Sequence, residues 1–405
     1  MKKQQEQLLE LLVSAIHGEK VRDTSYQDWE GVLEEASEHQ VKGTIYPAID
    51  RGEIEEHINQ KLYESWKRET FRTGAGQIQH MYQSAKILNL FKLSGIKVIV
   101  LKGLVIREYY PRPELRTMCD ADLLVHKKDL DTIESILLQE GYHAEEASPV
   151  HIKYTHPRCF AIEIHWTIRD ERIFDEMTEM ENALWQEAVP VSVNGVEVLG
   201  LGLEDQIAHL CVHMATHLSV GGFGIRQLLD LVLFVEARKE DIQWPLFCKK
   251  IKMWKLCTFT VTIFKMAECL FQLSFPHSLK KLGKVKEQVV IELIEDMWAA
   301  GVHGKRDPSR ILAHELAKDV EGKKTGAESN VIYNFLTYLC PPRDKLSDKY
   351  TYAKKNKWFL PFAWLHHLWN GIWQKEYKMR DKIKFAFTAF RVSKKRNKLL
   401  RDLQL

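Results

Sequence analysis

Every convincing strand signal in this chain falls between Ile96 and Leu201, and helical periodicity flanks that stretch on both sides. IKVIVLKG (96–103) is a β-branched apolar run closed by glycine, the pattern of a buried strand. Asp120–Val125 reads as a second strand. HIKYTHPRCFAIEIHWTI (151–168) reads as a hairpin whose second arm alternates from Ile162 to Ile168. VPVSVNGVEVLGL (189–201) places Asn194-Gly195 between alternating arms, the strongest hairpin signal in the protein. LVIREYY and KKDLDTIESILLQEGY, the latter stopped by Gly141, read as helices between these strands. The elements therefore read as α+β, a small sheet core over roughly 85–200 held between helical regions.

The 405 residues suffice for two or three domains. Apolar spacing in 4–16 and 28–36, and a long amphipathic stretch up to Gly95, give an N-terminal helical region over 1–84 and a core over 85–202. EDQIAHLCVHMATHL and IRQLLDLVLFVEARK, separated by SVGGFG, open a helical domain over 203–300. A C-terminal helical basic region fills 301–405. Net charge is only +3, but residues 351–405 carry 14 Lys/Arg against three acids. That tail suits a membrane surface or an acidic partner; with no base-reading motif, nucleic acid is the weakest partner. The dense aromatics of 358–373 read as core helices. Seven cysteines without a CxxC pair read as reduced thiols, and no run approaches the ~18–20 apolar residues of a membrane span, so a cytoplasmic protein is expected.

The chemistry lies in CDADLLVH (119–126). Side chains alternate along a strand, so Asp120 and Asp122 share one face. Two converging carboxylates repel unless a cation sits between them, and Mg²⁺ favours hard oxygen ligands shared with phosphates. In FAIEIHWTI the same parity puts Glu163 beside His165, with Ile162, Ile164, Trp166 and Ile168 on the other face. If that strand lies next to Asp120–Val125, Glu163 becomes a third carboxylate. The other Asp-x-Asp pair, Asp129 and Asp131, falls on an expected helix and reads as surface.

The order strand–Lys-Gly–helix, then strand Asp-x-Asp, then a later strand with Glu, resembles the DNA polymerase β-like nucleotidyltransferase superfamily, which implies an α+β fold with a small mixed sheet flanked by N-terminal and C-terminal helical regions. More narrowly, LKGLVIREYYPRPELRTMCDADLLV, the following EGY, IEIHW and HLCVHMATH…RQLLDL resemble an uncharacterised bacterial nucleotidyltransferase family over roughly 85–235. The superfamily usually has Gly-Ser or Gly-Gly after the first strand; here Lys102-Gly103-Leu104 offers no hydroxyl. The resemblance implies Mg²⁺, with Mn²⁺ as substitute, held by Asp120, Asp122 and Glu163. Gly103 lets backbone N–H groups approach phosphate at a helix start, and Lys102 and Arg116 add positive charge.

His209, His213 and His217 recur every four residues on one helix face, without the glutamate or cysteine partners that would favour zinc. Arg226 and Asp230 share the same spacing and suggest an ion pair within their helix. The resemblance implies that His213, His217, Arg226 and Asp230 line the substrate cleft, with His165 a further cleft residue beside Glu163, and that Asp230 or a histidine takes the acceptor proton. The expected reaction is nucleotidyl transfer from a nucleoside triphosphate to a small-molecule or peptide acceptor. Glycosyl or phosphosugar transfer from a nucleotide sugar is the alternative, and a non-catalytic interaction module the second.

Overall fold

The computed structural model describes residues 1–19, 21, 28–50, 58–145, 147–168, 178–304, 306–307, 309–310, 342–343, 346, 350–373 and 379–405. The chain opens with helices α1 (Lys3–His17), α2 (Trp29–Glu38), α3 (Tyr46–Asp50) and α4 (Gln60–Leu93). Asp28 starts α2 by accepting from the Gly31 amide, and Asn59 starts α4 by accepting from Lys61 and Leu62. Each such cap contributes about 1 kcal/mol by satisfying amides that the helix itself leaves unpaired.

The sheet region follows: β1 (Val98–Val100), α5 (Gly103–Ile106), β2 (Asp120–Val125), α6 (Leu130–Gln139), β3 (His143–Ala144), β4 (His151–Thr155), β5 (Ala161–His165), α7 (Thr178–Gln186), β6 (Val189–Val193) and β7 (Val196–Gly200). Spatial order is β3-β4-β5-β2-β1-β7-β6. β1 runs antiparallel to β2 and parallel to β7, while β2 and β5 are parallel. The sheet is thus mixed, as the family resemblance implies. Asn194 and Gly195 turn the β6–β7 hairpin with φ of 46° and 83°, the left-handed values that this two-residue turn requires.

Strand parity divides the sheet into two faces. Val98, Val100, Ala121, Leu123, Val125, Ile162 and Ile164 pack with Ile87, Leu88 and Phe91 of α4 and with Ile133 and Leu137 of α6. Ile99, Leu101 and Leu124 pack on the opposite face with Leu184 of α7 and Leu201. Alternation in the second hairpin arm ends sooner than its sequence suggests. The strand stops at His165, and Ile168 joins the cluster containing Leu124 rather than the one containing Ile162. Trp166 instead donates its indole N–H to the Pro149 carbonyl at 3.0 Å.

Helices α8 (Leu203–Val220), α9 (Ile225–Arg238), α10 (Trp244–Met253), α11 (Cys257–Phe271) and α12 (Glu287–Ala300) complete the main body. Their apolar faces join those of the N-terminal helices in one cluster that includes Leu8, Leu33, Tyr63, Leu210, Leu229, Phe264 and Leu293. The later helices are α13 (Thr351–Lys355), α14 (Leu360–Trp373) and α15 (Met379–Asp402). Leu399 and Leu400 of α15 reach the same cluster. The aromatic stretch around α14 departs from the core packing expected of it: Ala363 is buried, but Trp358, Phe362 and Leu365 face solvent. No helix among the described residues is long and apolar enough to cross a membrane.

Candidate functional site

A cavity of about 290 Å³ opens between the sheet and α8–α9. Lys102, Gly103, Asp120, Asp122 and Glu163 form its sheet side; His213, His217, Arg226 and Asp230 line the helical side. Arg116 and His303 also reach it. Residues separated by more than a hundred positions are thereby brought to one place.

On the sheet side, β2 and β5 pair in parallel with Asp122 opposite Glu163 and Asp120 opposite Ala161. Parallel neighbours in register project to the same face, so the two strands present Asp120, Asp122 and Glu163 together. Asp122 Oδ1 accepts hydrogen bonds from Lys102 Nζ at 3.0 Å and, through His165 Nε2, at 3.1 Å. His165 Nε2 also lies 3.5 Å from Glu163 Oε2. Burial pushes the Asp122 carboxyl upward, but the Lys102 charge and the bonds from His165 and Lys102 outweigh it and hold Asp122 well below the carboxylate range. Asp120 moves the other way: burial and then the Asp122 charge raise it. Glu163 is lowered because its bond to His165 overcomes burial. The imidazole of His165 is raised by those same carboxylates against the effect of its own burial.

The turn leading into α5 carries backbone strain. Lys102 has φ 42° and ψ −112°, outside the regions that side chains ordinarily adopt. Such conformations cost of order 1–3 kcal/mol and persist where the surroundings impose them. Gly103 follows with no room for a side chain: a Cβ there would lie 2.8 Å from both Arg116 Nη1 and Met118 Cε. Arg116 Nη1 is buried and has no hydrogen-bond partner, although its Nε and Nη2 both donate to Asp230. A cationic N–H therefore lies unsatisfied beside a glycine turn, the arrangement an anion would complete.

Arg116 is held by Asp230, not left loose. Its Nε donates to Asp230 Oδ1 at 2.8 Å and its Nη2 to Oδ2 at 2.7 Å, while the Tyr110 hydroxyl donates to Oδ1 at 2.7 Å. Burial and the Asp230 charge raise the Tyr110 phenol far above its usual range, so it remains a donor. Arg226, four residues before Asp230, directs its Nη1 to the Thr117 carbonyl. The expected ion pair within α9 is thus replaced by a pair between α9 and the loop before β2. With three hydrogen bonds already accepted, Asp230 is poorly arranged to receive an acceptor's proton.

The histidines of α8 differ in their surroundings. His209 is buried with neither ring nitrogen hydrogen-bonded, and burial lowers it to about 3. His213 Nε2 and His217 Nε2 lie 2.8 Å apart, and His217 Nδ1 lies 3.0 Å from His303 Nδ1. Burial pulls both His213 and His217 well below the usual imidazole range, aided by Lys102 for the first and His303 for the second. Neutral rings joined in this way can accept a proton at one end and release one at the other. His303 and Tyr110 carry no motif, and their places in the site depend on tertiary packing alone.

Hard oxygen donors on two adjacent strands, one of them raised by its neighbour's charge, fit a divalent cation. The three carboxylates share one cavity, but Asp122 is neutralised by Lys102 and His165. Among the described residues, the group whose donor atoms all lie within 4.8 Å of one another is instead His151, Glu163 and His165.

A family model described as an uncharacterised nucleotidyltransferase matches residues 25–272. No curated protein matches the chain. The family match covers more than half of the sequence and spans both walls of the cavity, and the chain belongs to that family.

Proposed function

We propose, starting from that membership, that this transferase moves a nucleotidyl group from a nucleoside triphosphate to a hydroxyl of a small-molecule or peptide acceptor. The observation that carries the reading is the register of β2 and β5, which aligns Asp120, Asp122 and Glu163 on one face beside the Lys102-Gly103 turn. Asp120, Asp122 and Glu163 would hold Mg²⁺ or Mn²⁺, which when bound neutralises charge on the transferred phosphate. The Gly103 amide region and Arg116 Nη1 bind phosphate oxygens, with Asp230 and Tyr110 fixing the guanidinium. Lys102 Nζ, now 3.0 Å from Asp122 Oδ1, would be free to turn to the triphosphate if a cation neutralised that carboxylate. A cavity of about 290 Å³ suits the phosphates with the base outside, since whole-ligand pockets run ~300–1,000 Å³. His213 and His217, neutral and facing the carboxylates across the cavity, receive the acceptor proton.

The test is a panel of nucleoside triphosphates and nucleotide sugars incubated with Mg²⁺ and fractionated small molecules or peptides, with pyrophosphate release and product mass both recorded. The reading expects a nucleotidyl mass increment with matching pyrophosphate, both abolished in Asp122→Asn. Sugar transfer without pyrophosphate, or an Asp122→Asn variant as active as the parent, would overturn it.

A further inference from the structure

The carboxylate face continues past Glu163 into a nitrogen-rich cluster that the reaction above does not use. β4 and β5 are antiparallel with His151 opposite His165 and Lys153 opposite Glu163. Parity therefore brings His151, from the neighbouring strand, onto the face that carries Glu163 and His165. The two imidazole centroids are 4.8 Å apart. We propose that His151, Glu163 and His165 form a second metal site, selective for a transition-metal dication such as Zn²⁺ or Mn²⁺, that shares Glu163 with the carboxylate site. The proposal deepens the functional reading and rests on it for the shared role of Glu163.

Hydrogen bonding around His151 determines which nitrogen is available. Ser148 Oγ accepts from the Val150 and His151 amides at 3.3 and 3.0 Å, which uses both of its lone pairs and leaves its one proton between the His151 carbonyl, 2.9 Å away, and His151 Nδ1, 3.1 Å away. The Nδ1 side of the ring is thus occupied by Ser148, and Nε2 is the nitrogen that a metal ion would take. A hydrogen-bonding neighbour at the distal nitrogen is how metal-binding histidines are commonly oriented.

His165 supplies the second nitrogen. Its Nε2 stands between Asp122 Oδ1 and Glu163 Oε2, at 3.1 and 3.5 Å. A metal ion there takes the place of the proton that the imidazole now shares with those oxygens. Donor atoms within 4.8 Å of one another need only a modest closing rotation to reach the ~2.0–2.2 Å bonds of zinc. Two imidazoles and one carboxylate favour borderline metals, whereas Mg²⁺ selects oxygen. The ion would fix the Glu163 carboxylate and add positive charge at the edge of the phosphate site.

The experiment uses the full chain, stripped of metal, titrated with Co²⁺ as a visible-absorption reporter and then with Zn²⁺ as competitor. The parent should bind one Co²⁺, displaced by Zn²⁺ but not by millimolar Mg²⁺. His151→Ala should weaken binding by at least tenfold, Ser148→Ala by about tenfold through loss of the orienting bond, and Asp120→Asn should leave it essentially unchanged. His151→Gln, with circular dichroism of every variant, separates a lost ligand from a lost fold. Equal binding by parent, His151→Ala and His151→Gln would overturn the proposal, as would a loss in Asp120→Asn as large as in His151→Ala. Failure of the functional reading has a separate signature, in which the parent does not bind Mg²⁺ with any nucleoside triphosphate whatever its Co²⁺ affinity.

Discussion

The two walls of the cavity are built by different rules. On the sheet wall, chain-local parity places Asp120, Asp122, Glu163 and His165, and a one-residue slip would turn all of them toward α4 and α6. On the helical wall, contacts across the fold do the placing: Arg116 is fixed by Asp230 and Tyr110, and His217 by His303. Charge on the sheet wall is left in excess of its partners, while on the helical side Asp230 is paired with Arg116 and Arg226 donates to a backbone carbonyl. The comparison suggests that the first wall does chemistry on a metal and its phosphates, and that the Arg116–Asp230 pair of the second holds the cavity in shape.

If so, substitutions in the Arg116–Asp230 pair should strike stability and those on the sheet wall turnover. The largest expected effect is that of Asp230→Ala, which strands the buried Arg116 and should cost about 3–5 kcal/mol in denaturant unfolding. The double replacement Arg116→Met with Asp230→Leu should recover much of that loss. A melt like the parent's for Asp230→Ala would show that the pair does not hold the wall. Next, Glu163→Gln should reduce turnover by on the order of 10²–10³-fold, with little change in unfolding. A variant that loses stability but keeps turnover would reverse the assignment of the two walls.

His217→Ala should lower turnover more than nucleotide affinity, by about 10²-fold if its chain of imidazoles takes the acceptor proton. An effect confined to nucleotide binding would move His217 to the phosphate side. The smallest effect is reserved for the other Asp-x-Asp pair. Asp131 is exposed on α6, and Asp131→Asn should change stability by no more than about 0.5 kcal/mol and activity not at all.

These contrasts explain what could be read from the chain itself. Period-two alternation and the Lys-Gly turn made β1, β2, β5 and the β6–β7 hairpin legible, together with the shared face of Asp120 and Asp122. Placing Glu163 beside Asp122 needed one assumption, that β5 adjoins β2, and the observed register supplies it. The i, i+4 spacing on α8 and α9 put each set on one helix face, and the family resemblance pointed His213, His217, Arg226 and Asp230 toward the cleft, but spacing within a helix says nothing about partners outside it. It therefore suggested an Arg226–Asp230 pair where packing makes Arg116–Asp230. His303, Tyr110 and Ser148 had no readable signal, because each acts through a neighbour distant in sequence or through one loop's hydroxyl geometry. Trp358, Phe362 and Leu365 misled for a related reason: apolar density indicates that burial is favourable, not that this fold provides it.

The central claim is that the sheet wall binds a nucleotide through a metal. It is tested most directly by calorimetric titration of nucleoside triphosphates, with and without Mg²⁺, into the parent, Asp120→Asn and Asp122→Asn proteins. The account predicts Mg²⁺-dependent binding of one nucleotide by the parent and loss of that dependence in both variants. Nucleotide binding that ignores Mg²⁺ in the parent, or survives with full Mg²⁺ dependence in both variants, would contradict it.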